Sequence, residues 1–120
     1  MVTQTSDALA AKKCTPCEGG LPKYDLGQAE EHLALIDGWR LTNDAQRIRK
    51  DWRMKNFMAG IEFFNKVAEV AEAEGHHPDL HLEGYRNVWI ELMTHAIGGL
   101  SENDFILAAK IDRLPVKVKR

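Results

Sequence analysis

The stretch NFMAGIEFFNKVAEVAEAEGHHP, residues 56–78, predicts the central helix of the fold and the point at which that helix ends. Asn56 is a favourable N-cap residue. Apolar side chains then recur at steps of three and four, as they do on one face of an α-helix: Phe57, Ile61, Phe64, Val67, Ala68 and Ala71. Gly75 suits the position after the helix, where a left-handed backbone ends it. His76 and His77 therefore follow directly on the C-terminal end of a long amphipathic helix.

Alternating patterns on either side of this helix predict two β-hairpins, over residues 39–55 and 79–95. In the second hairpin Val88, Ile90 and Leu92 fall on one face, and His95 ends the last strand. The segments TNDAQ (residues 42–46) and EGYRN (residues 83–87) supply the turns. Another helix is expected over residues 27–37, and Ser101 with Asp104 predicts a capped start for a final helix.

The resulting order α-β-β-α-β-β-α predicts a two-layer α+β fold, in which helices cover one face of a four-stranded, mostly antiparallel sheet. Residues 26–120 are expected to form this single domain. Residues 1–25 are expected to be an N-terminal tail and loop, with a mobile tail over residues 1–13 and a Pro- and Gly-rich loop over residues 14–25.

Length and composition indicate an ordinary globular domain. The chain has 120 residues, of which 44% are hydrophobic and 28% are charged, and its formal net charge is −2. This charge gives no reason to expect direct nucleic-acid binding. No apolar run approaches the ~20 residues that span a membrane, and residues 1–13 lack the apolar centre of a secretory signal. A cytoplasmic protein is therefore expected.

Cys14 and Cys17 form a Cys-x-x-Cys pair in CTPC. Such a pair serves in redox or zinc sites, but a thioredoxin-like motif stands beside a βαβ pattern, and a structural zinc needs four ligands. A Cys2His2 set, or a zinc site of His77, His81 and His95, stays open as an alternative. Free thiols in a loop are the favoured interpretation, so no metal is expected.

Three histidines are candidates for acid–base chemistry. The C-terminal end of a helix carries partial negative charge, which favours a protonated imidazole at His76 or His77. Pro78 biases His77 towards an extended conformation, so the two rings are expected to project differently. His95 lies at a strand end, where binding residues are common. Solvated surface histidines remain the alternative interpretation.

A longer motif contains these histidines and resembles that of the pterin-4a-carbinolamine dehydratases. Its members here, in order and at matching gaps, are Glu72, His76, His77, Pro78, Tyr85, His95 and Asp104. The segments CTPCEGG and THAIGGLSENDFILAAKID also resemble the family, so the likeness runs from about Cys14 to Asp112. One departure is Leu80, which stands where many animal members have a tryptophan.

The resemblance implies dehydration of 4a-hydroxytetrahydropterin to quinonoid dihydropterin, in recycling of the tetrahydropterin cofactor of aromatic amino acid hydroxylases. It implies a homodimer or homotetramer that needs no metal and no cofactor, since the pterin is the substrate. Coupling to such a hydroxylase is an expected partnership. The alternative is a non-catalytic relative that binds proteins, as a dimerization cofactor of a transcription factor or in assembly of a larger enzyme.

The resemblance also assigns roles to residues. His76 and His95 are expected to transfer protons at the leaving hydroxyl, where they could serve opposite stereoisomers, and His77 is expected to bind the pterin and assist as acid or base. The expected substrate-binding residues are Gly75, Pro78, Met93, Thr94, Glu72 and Asp104. For two of them a plain structural role carries equal weight, as a solvated helix residue (Glu72) or a helix cap (Asp104). His81 lies outside the motif.

Overall fold

A four-stranded antiparallel sheet with strand order β1-β2-β4-β3 forms one layer of the protein, and helices form the other. The computed structural model describes residues 5–15, 22–42 and 44–119. Its elements are α1 (Ser6–Ala11), α2 (Leu26–Leu33), β1 (Arg40–Thr42), β2 (Arg47–Arg53), α3 (Phe57–Glu74), β3 (Asp79–Glu83), β4 (Asn87–Leu92), a 3₁₀ turn (His95–Ile97) and α4 (Glu102–Asp112). The predicted α+β fold is confirmed.

The sheet has one buried face, as its alternating sequence predicts. Ile48 of β2 lies opposite Leu92 of β4, and both side chains are fully buried. Residues at alternate positions along these two strands point to the other face. There the Arg49 guanidinium of β2 lies 4.5 Å from the centre of the Trp89 ring of β4. The period of two thus places Ile48, Ile90 and Leu92 on the buried face, where Lys50 is an exception that pairs with Asp112.

Helix α3 covers the buried face of the sheet. Its N-cap residue Asn56 accepts a hydrogen bond from Ala59 N at 2.9 Å. A Cβ atom at Gly60 would lie 2.9 Å from Leu82 Cδ1, so the missing side chain lets this helix approach β3 closely. Gly75 ends the helix with φ of 65°, in the left-handed region. Cap and stop are both as predicted.

Helix α4 is buried on almost every side. The Ser101 hydroxyl accepts a hydrogen bond from Asn103 N, and the Asp104 carboxylate accepts one from Ser101 N, which gives the predicted capping box. All residues from 103 to 109 are buried, because α4 contacts α3 and is also covered by α1. Leu9 of α1 is completely buried in this contact.

The prediction of a mobile N-terminal tail is wrong for residues 6–11. They form α1, which begins where the Thr5 hydroxyl accepts a hydrogen bond from Ala8 N at 3.1 Å. Leu9 is the only large apolar side chain in this six-residue helix, so the apolar periodicity is too weak to predict it. The expected loop residues Pro16, Cys17, Gly19 and Gly20 lie outside the described residues.

Two predicted boundaries also move. Helix α2 stops at Leu33, four residues before the expected end, and the chain then bends through residues 34–38. Strand β4 stops at Leu92, whereas His95 was expected to end it. Thr94 pairs instead with Gly99, which forces the chain between them into a tight turn that starts at His95. Among the helices of the described ranges, none is both long and apolar enough to cross a membrane.

Candidate active site

His76 and Asp104 form a buried imidazole–carboxylate pair. His76 Nε2 lies 2.6 Å from Asp104 Oδ1, and the two side chains are 5% and 0% exposed. The left-handed Gly75 turns the chain inward after α3, and His76 N donates to Ala71 O at 3.2 Å. Asp104 comes from the first turn of α4. The ends of two helices therefore bring this pair together.

A short hydrogen-bond network fixes the carboxylate of Asp104. Its Oδ2 accepts from the Thr94 hydroxyl at 2.9 Å and from Ser101 N at 3.0 Å. The hydroxyl oxygens of Thr94 and Ser101 lie 2.7 Å apart. Since the Thr94 proton goes to Asp104, the Ser101 hydroxyl donates to Thr94. All three side chains are fully buried, so the carboxylate is desolvated yet well supplied with donors.

His77 lies on the outer side of the same turn. Its Nε2 forms a close hydrogen-bond contact with a carboxylate oxygen of Glu72, five residues earlier in the chain. The His77 and Glu72 side chains are 63% and 76% exposed. Unlike His76, this imidazole is held by a flexible surface partner. The expectation that the two neighbouring rings project differently agrees with this geometry.

The third histidine faces the pair across a small cavity. His95 begins the 3₁₀ turn after β4 and is exposed. A cavity of about 170 Å³ opens between the end of α3 and this turn; its lining residues are Gly75, His76, His77, Met93, His95 and Ala96. The structure thus gathers all three predicted catalytic histidines around one cleft.

The expected substrate-binding residues divide into two groups. Gly75 and Met93 line the cavity. Thr94 and Asp104 are fully buried behind His76, where they hold its ring, and Glu72 holds His77. Pro78 is half-buried and starts the connection to β3. In the structure Thr94 bonds to Asp104, Asp104 to His76 and Glu72 to His77, and direct pterin contact by these residues stays a prediction.

Two further residues named in the sequence analysis lie away from the cavity: Tyr85 of the motif and His81 of the alternative zinc site. Tyr85 sits 59% exposed in the β3–β4 turn, at the opposite end of β3 from the cavity. His81 stacks on Trp89 on the charged face of the sheet, with ring centres 4.7 Å apart. Sequence reasoning missed Ala96 as a cavity residue. The capping box of Ser101 and Asp104 was predicted, but the bond from the same carboxylate to His76 was not, because it joins distant parts of the chain.

A larger cavity of about 710 Å³ lies near the start of α2 and the β1–β2 turn, against Lys23, Tyr24 and Gln46. Its lining contains no histidine among the described residues. Since proton transfer near neutral pH needs groups such as imidazole, the smaller cavity is the candidate active site.

The surroundings of Cys14 determine whether this residue is a thiol or a thiolate. Burial, and then the nearby carboxylate of Glu74, raises the pKa of the Cys14 thiol to about 12. The protonated thiol is therefore the favoured form of Cys14 at neutral pH. Within the described residues, no three His, Cys, Asp or Glu side chains are grouped to hold a metal. Cys17 lies outside them.

The fold and the cavity together define a small α+β protein in which three histidines line one cleft. Residues 22–114 match the sequence model of a protein family, pterin 4 alpha carbinolamine dehydratase. The chain therefore belongs to that family, as its sequence motif predicts.

Curated relatives agree with this assignment. The chain is 52% identical over 112 residues to the mitochondrial pterin-4-alpha-carbinolamine dehydratase 2 of Arabidopsis thaliana, covering 91% of this chain and 60% of the plant protein. It is 46% identical over 107 residues to a putative pterin-4-alpha-carbinolamine dehydratase of Methylococcus capsulatus, covering 89% and 93% of the two chains. The chain thus spans less than two thirds of the plant relative and nearly all of the bacterial one.

Solved structures share the fold. A transcriptional coactivator/pterin dehydratase from Brucella melitensis superposes with a TM-score of 0.70 at 27% identity, over 76% of this chain and 96% of that one. A pterin dehydratase-like protein described as a RuBisCO assembly factor of the alpha-carboxysome gives a TM-score of 0.52 at 24% identity, over 62% and 86%. The second likeness concerns the fold alone.

Proposed function

We propose that this family member is a hydro-lyase that dehydrates 4a-hydroxytetrahydropterin to quinonoid dihydropterin and water. The observation that carries the proposal is the buried His76–Asp104 pair at a cleft shared with His77 and His95. The names of the relatives, pterin-4-alpha-carbinolamine dehydratases, support the same reaction. Its role would be to recycle the pterin cofactor used by aromatic amino acid hydroxylases.

The reaction needs one acid and one base. The carbinolamine carbon bears a hydroxyl and a ring nitrogen; the nitrogen lone pair expels the hydroxyl once an acid protonates the leaving oxygen. The C–O bond breaks, water leaves, and a base removes the N–H proton to give the C=N bond. Two imidazoles on opposite sides of a flat ring are suited to this exchange near neutral pH.

His76 is proposed as a proton-transfer group of fixed orientation. Asp104 is an acceptor when ionised, so Nε2 of His76 carries a proton towards it. Proton exchange with the substrate is then assigned to Nδ1. This arrangement follows the general rule that a carboxylate sets the tautomer and orientation of a working imidazole.

His95 is proposed to exchange a proton with the leaving hydroxyl from the other wall of the cleft, and His77 to bind the pterin and assist. Both are exposed, which suits groups that meet a substrate entering from solvent. Gly75 and Met93 would contact the ring itself. No metal or cofactor takes part in this scheme, because the nitrogen lone pair supplies the driving electrons.

The test is dehydration of 4a-hydroxytetrahydropterin generated in place by a hydroxylase, with and without the protein. Acceleration is expected for the wild type and is expected to vanish in the triple variant His76→Ala, His77→Ala, His95→Ala. His81→Ala is the matched control, since His81 lies on the far face of the sheet. Equal rates with the wild type and the triple variant would overturn the proposal.

A binding function without catalysis is the alternative, since the Brucella protein is described both as a transcriptional coactivator and as a pterin dehydratase. Retention of the three histidines around one cleft favours catalysis here, because a protein that only binds partners has no need of a desolvated imidazole–carboxylate pair.

Self-assembly and location are further parts of the proposal. Edge strand β3 presents Leu80, and the start of α3 presents Phe57 and Met58, all exposed. Such surfaces support a homodimer or homotetramer; a monomer in sedimentation at micromolar concentration would oppose it.

A cytoplasmic location is proposed from the sequence alone. Cell fractionation tests it, since the Arabidopsis relative is named mitochondrial.

A further inference from the structure

The N-terminal arm, residues 5–15, precedes the segment matched by the family model and docks on the domain in a defined position. Leu9 is fully buried. Arg113 pairs with Asp7, and Lys110 Nζ donates to Ala10 O at 2.7 Å. The arm is thus attached along the length of α4, and its last residues are carried towards the start of that helix.

At Cys14 the arm contacts the end of α3. Cys14 N donates to Glu74 Oε1 at 2.7 Å, and the other carboxylate oxygen lies 3.6 Å from Lys110 Nζ. The Glu74 side chain is 8% exposed. Glu74 is the last residue of α3, two positions before His76. A backbone hydrogen bond to it therefore restrains the turn that aims the imidazole.

At Thr15 the arm contacts the start of α4. Thr15 N donates to Asn103 Oδ1 at 2.9 Å, and Asn103 Nδ2 donates to Thr15 O at 2.7 Å. Asn103 is 1% exposed and directly precedes Asp104. A primary amide offers a donor and an acceptor together, so it pairs with one backbone residue as a neighbouring strand would. A carboxylate or an alkyl group of similar size lacks one or both.

These two contacts are adjacent in the arm, whereas Glu74 and Asn103 stand next to the two halves of the buried pair. We propose that Cys14 and Thr15 of the arm clamp the end of α3 to the start of α4, and that Asn103 is a positioning residue for the His76–Asp104 pair. The inference rests on the proposed function, since the pair is the element it serves. Asn103 meets neither the cavity nor the substrate and acts through Asp104.

The clamp would matter because proton transfer by the His76–Asp104 pair tolerates little displacement of its groups. Proton-transfer groups lose about 10²-fold in rate when displaced by ~1 Å. His76 follows a helix end and Asp104 belongs to the first turn of another helix, and helix ends are the parts most free to fray. Tying both ends to one short backbone segment reduces their relative motion.

Asn103→Leu tests the inference, because it keeps the side-chain volume and removes both hydrogen bonds to Thr15. We expect kcat to fall about 10- to 100-fold, with KM changed less than about threefold, because substrate contacts stay in place. The pH profile of kcat should change shape as well. Lys12→Ala is the matched control: it removes another arm contact, the exposed pair with Glu102 at 2.8 Å, and should leave kcat and KM unchanged.

A direct readout separates positioning from simple destabilisation. The His76 Nε2–H proton, identified by its loss in His76→Gln, should exchange with water at least about tenfold faster in Asn103→Leu than in the wild type. If that variant does not fold, Thr15→Pro decides, since it deletes one donor at an exposed loop residue. Unchanged exchange overturns the inference, whatever happens to kcat. Faster exchange in a protein whose wild type lacks dehydratase activity upholds the clamp and rejects the proposed reaction.

Discussion

His76 Nε2 and Asp104 Oδ1 lie 2.6 Å apart in the interior, although the two residues are 28 positions apart in the chain. One side of the contact comes from a helix end and the other from a helix start, and Thr94 and Ser101 complete the donors around the carboxylate. The same carboxylate caps α4. Asp104 therefore serves the fold and the imidazole at once, which couples local helix structure to the proposed chemistry.

Asp104→Asn tests that coupling. The amide keeps the size of the side chain, but its NH2 group replaces one of the two accepting oxygens. At the Oδ1 position it meets the His76 ring, and at the Oδ2 position it meets the Thr94 and Ser101 donors, so the network that fixes the imidazole is broken in either orientation. We expect kcat to fall at least about tenfold, within the range of lost acid–base help. Steady-state kinetics with circular dichroism as a folding check would measure it. Asp51→Asn, on the charged face of the sheet, is the control. Equal turnover in both variants would remove Asp104 from the mechanism.

Much of the fold was predictable because its signals are local. Asn56 and Gly75 delimit α3 through capping chemistry, and the alternation around Ile48 and Val88 defines the strands. The turn at His95 was not, because it depends on Thr94 pairing with Gly99, a tertiary contact.

The same distinction holds for the site. The motif predicted three candidate histidines, and the structure brings them to one cleft. The different surroundings of the histidines could not be predicted from the motif, because only tertiary packing makes His76 buried and His77 exposed. Helix α1 escaped prediction since its one anchor, Leu9, acquires meaning only against α4.

His77→Ala should lower turnover at least about tenfold while the domain stays folded. The His77 side chain is 63% exposed, so its removal leaves no internal cavity and should change the unfolding free energy by less than about 0.5 kcal/mol. Dehydration kinetics and thermal unfolding of the same preparation would test both parts. Wild-type turnover in the folded variant would mean that His77 takes no part in binding or proton transfer.

The Cys14 thiol should resist alkylation in the native protein. With burial raising its pKa to about 12, the thiolate fraction at pH 8 is roughly 10³-fold below that of a free thiol. The Sγ atom also lies 3.7 Å from Asn103 O, to which the S–H group donates. Iodoacetamide labelling of a Cys17→Ser variant, read by mass spectrometry, isolates this thiol.

Labelling of native Cys14 should therefore be slow, and fast labelling is expected only after denaturation. A native rate equal to that of a free thiol would mean that the end of the arm leaves α4 readily. Asn103→Leu should increase the native rate, because it releases Thr15 next to the thiol.

Glu74 should make the domain lose stability in acid. Burial alone would raise the pKa of Glu74, but the hydrogen bond from Cys14 N and the charges of Lys110 and Lys13 outweigh it, and the pKa is lowered. A carboxyl group whose pKa is lower in the folded state stabilises the fold above its unfolded pKa, and this contribution disappears as pH falls through the folded pKa. The affected window therefore lies below about pH 4.5.

Glu74→Gln isolates this contribution. The amide oxygen still accepts from Cys14 N, but the charge is gone, so the variant should be about 1 kcal/mol less stable at pH 7, as for loss of one charge-assisted bond. The difference should shrink as pH falls through the lowered pKa of Glu74, because the wild-type carboxylate then becomes protonated too. Urea unfolding from pH 3 to pH 7 would measure it. Glu62→Gln, which removes an exposed pair with Lys117, should show no such pH dependence. A constant difference across that range for Glu74→Gln would show that the side chain stabilises the arm by shape and not by charge.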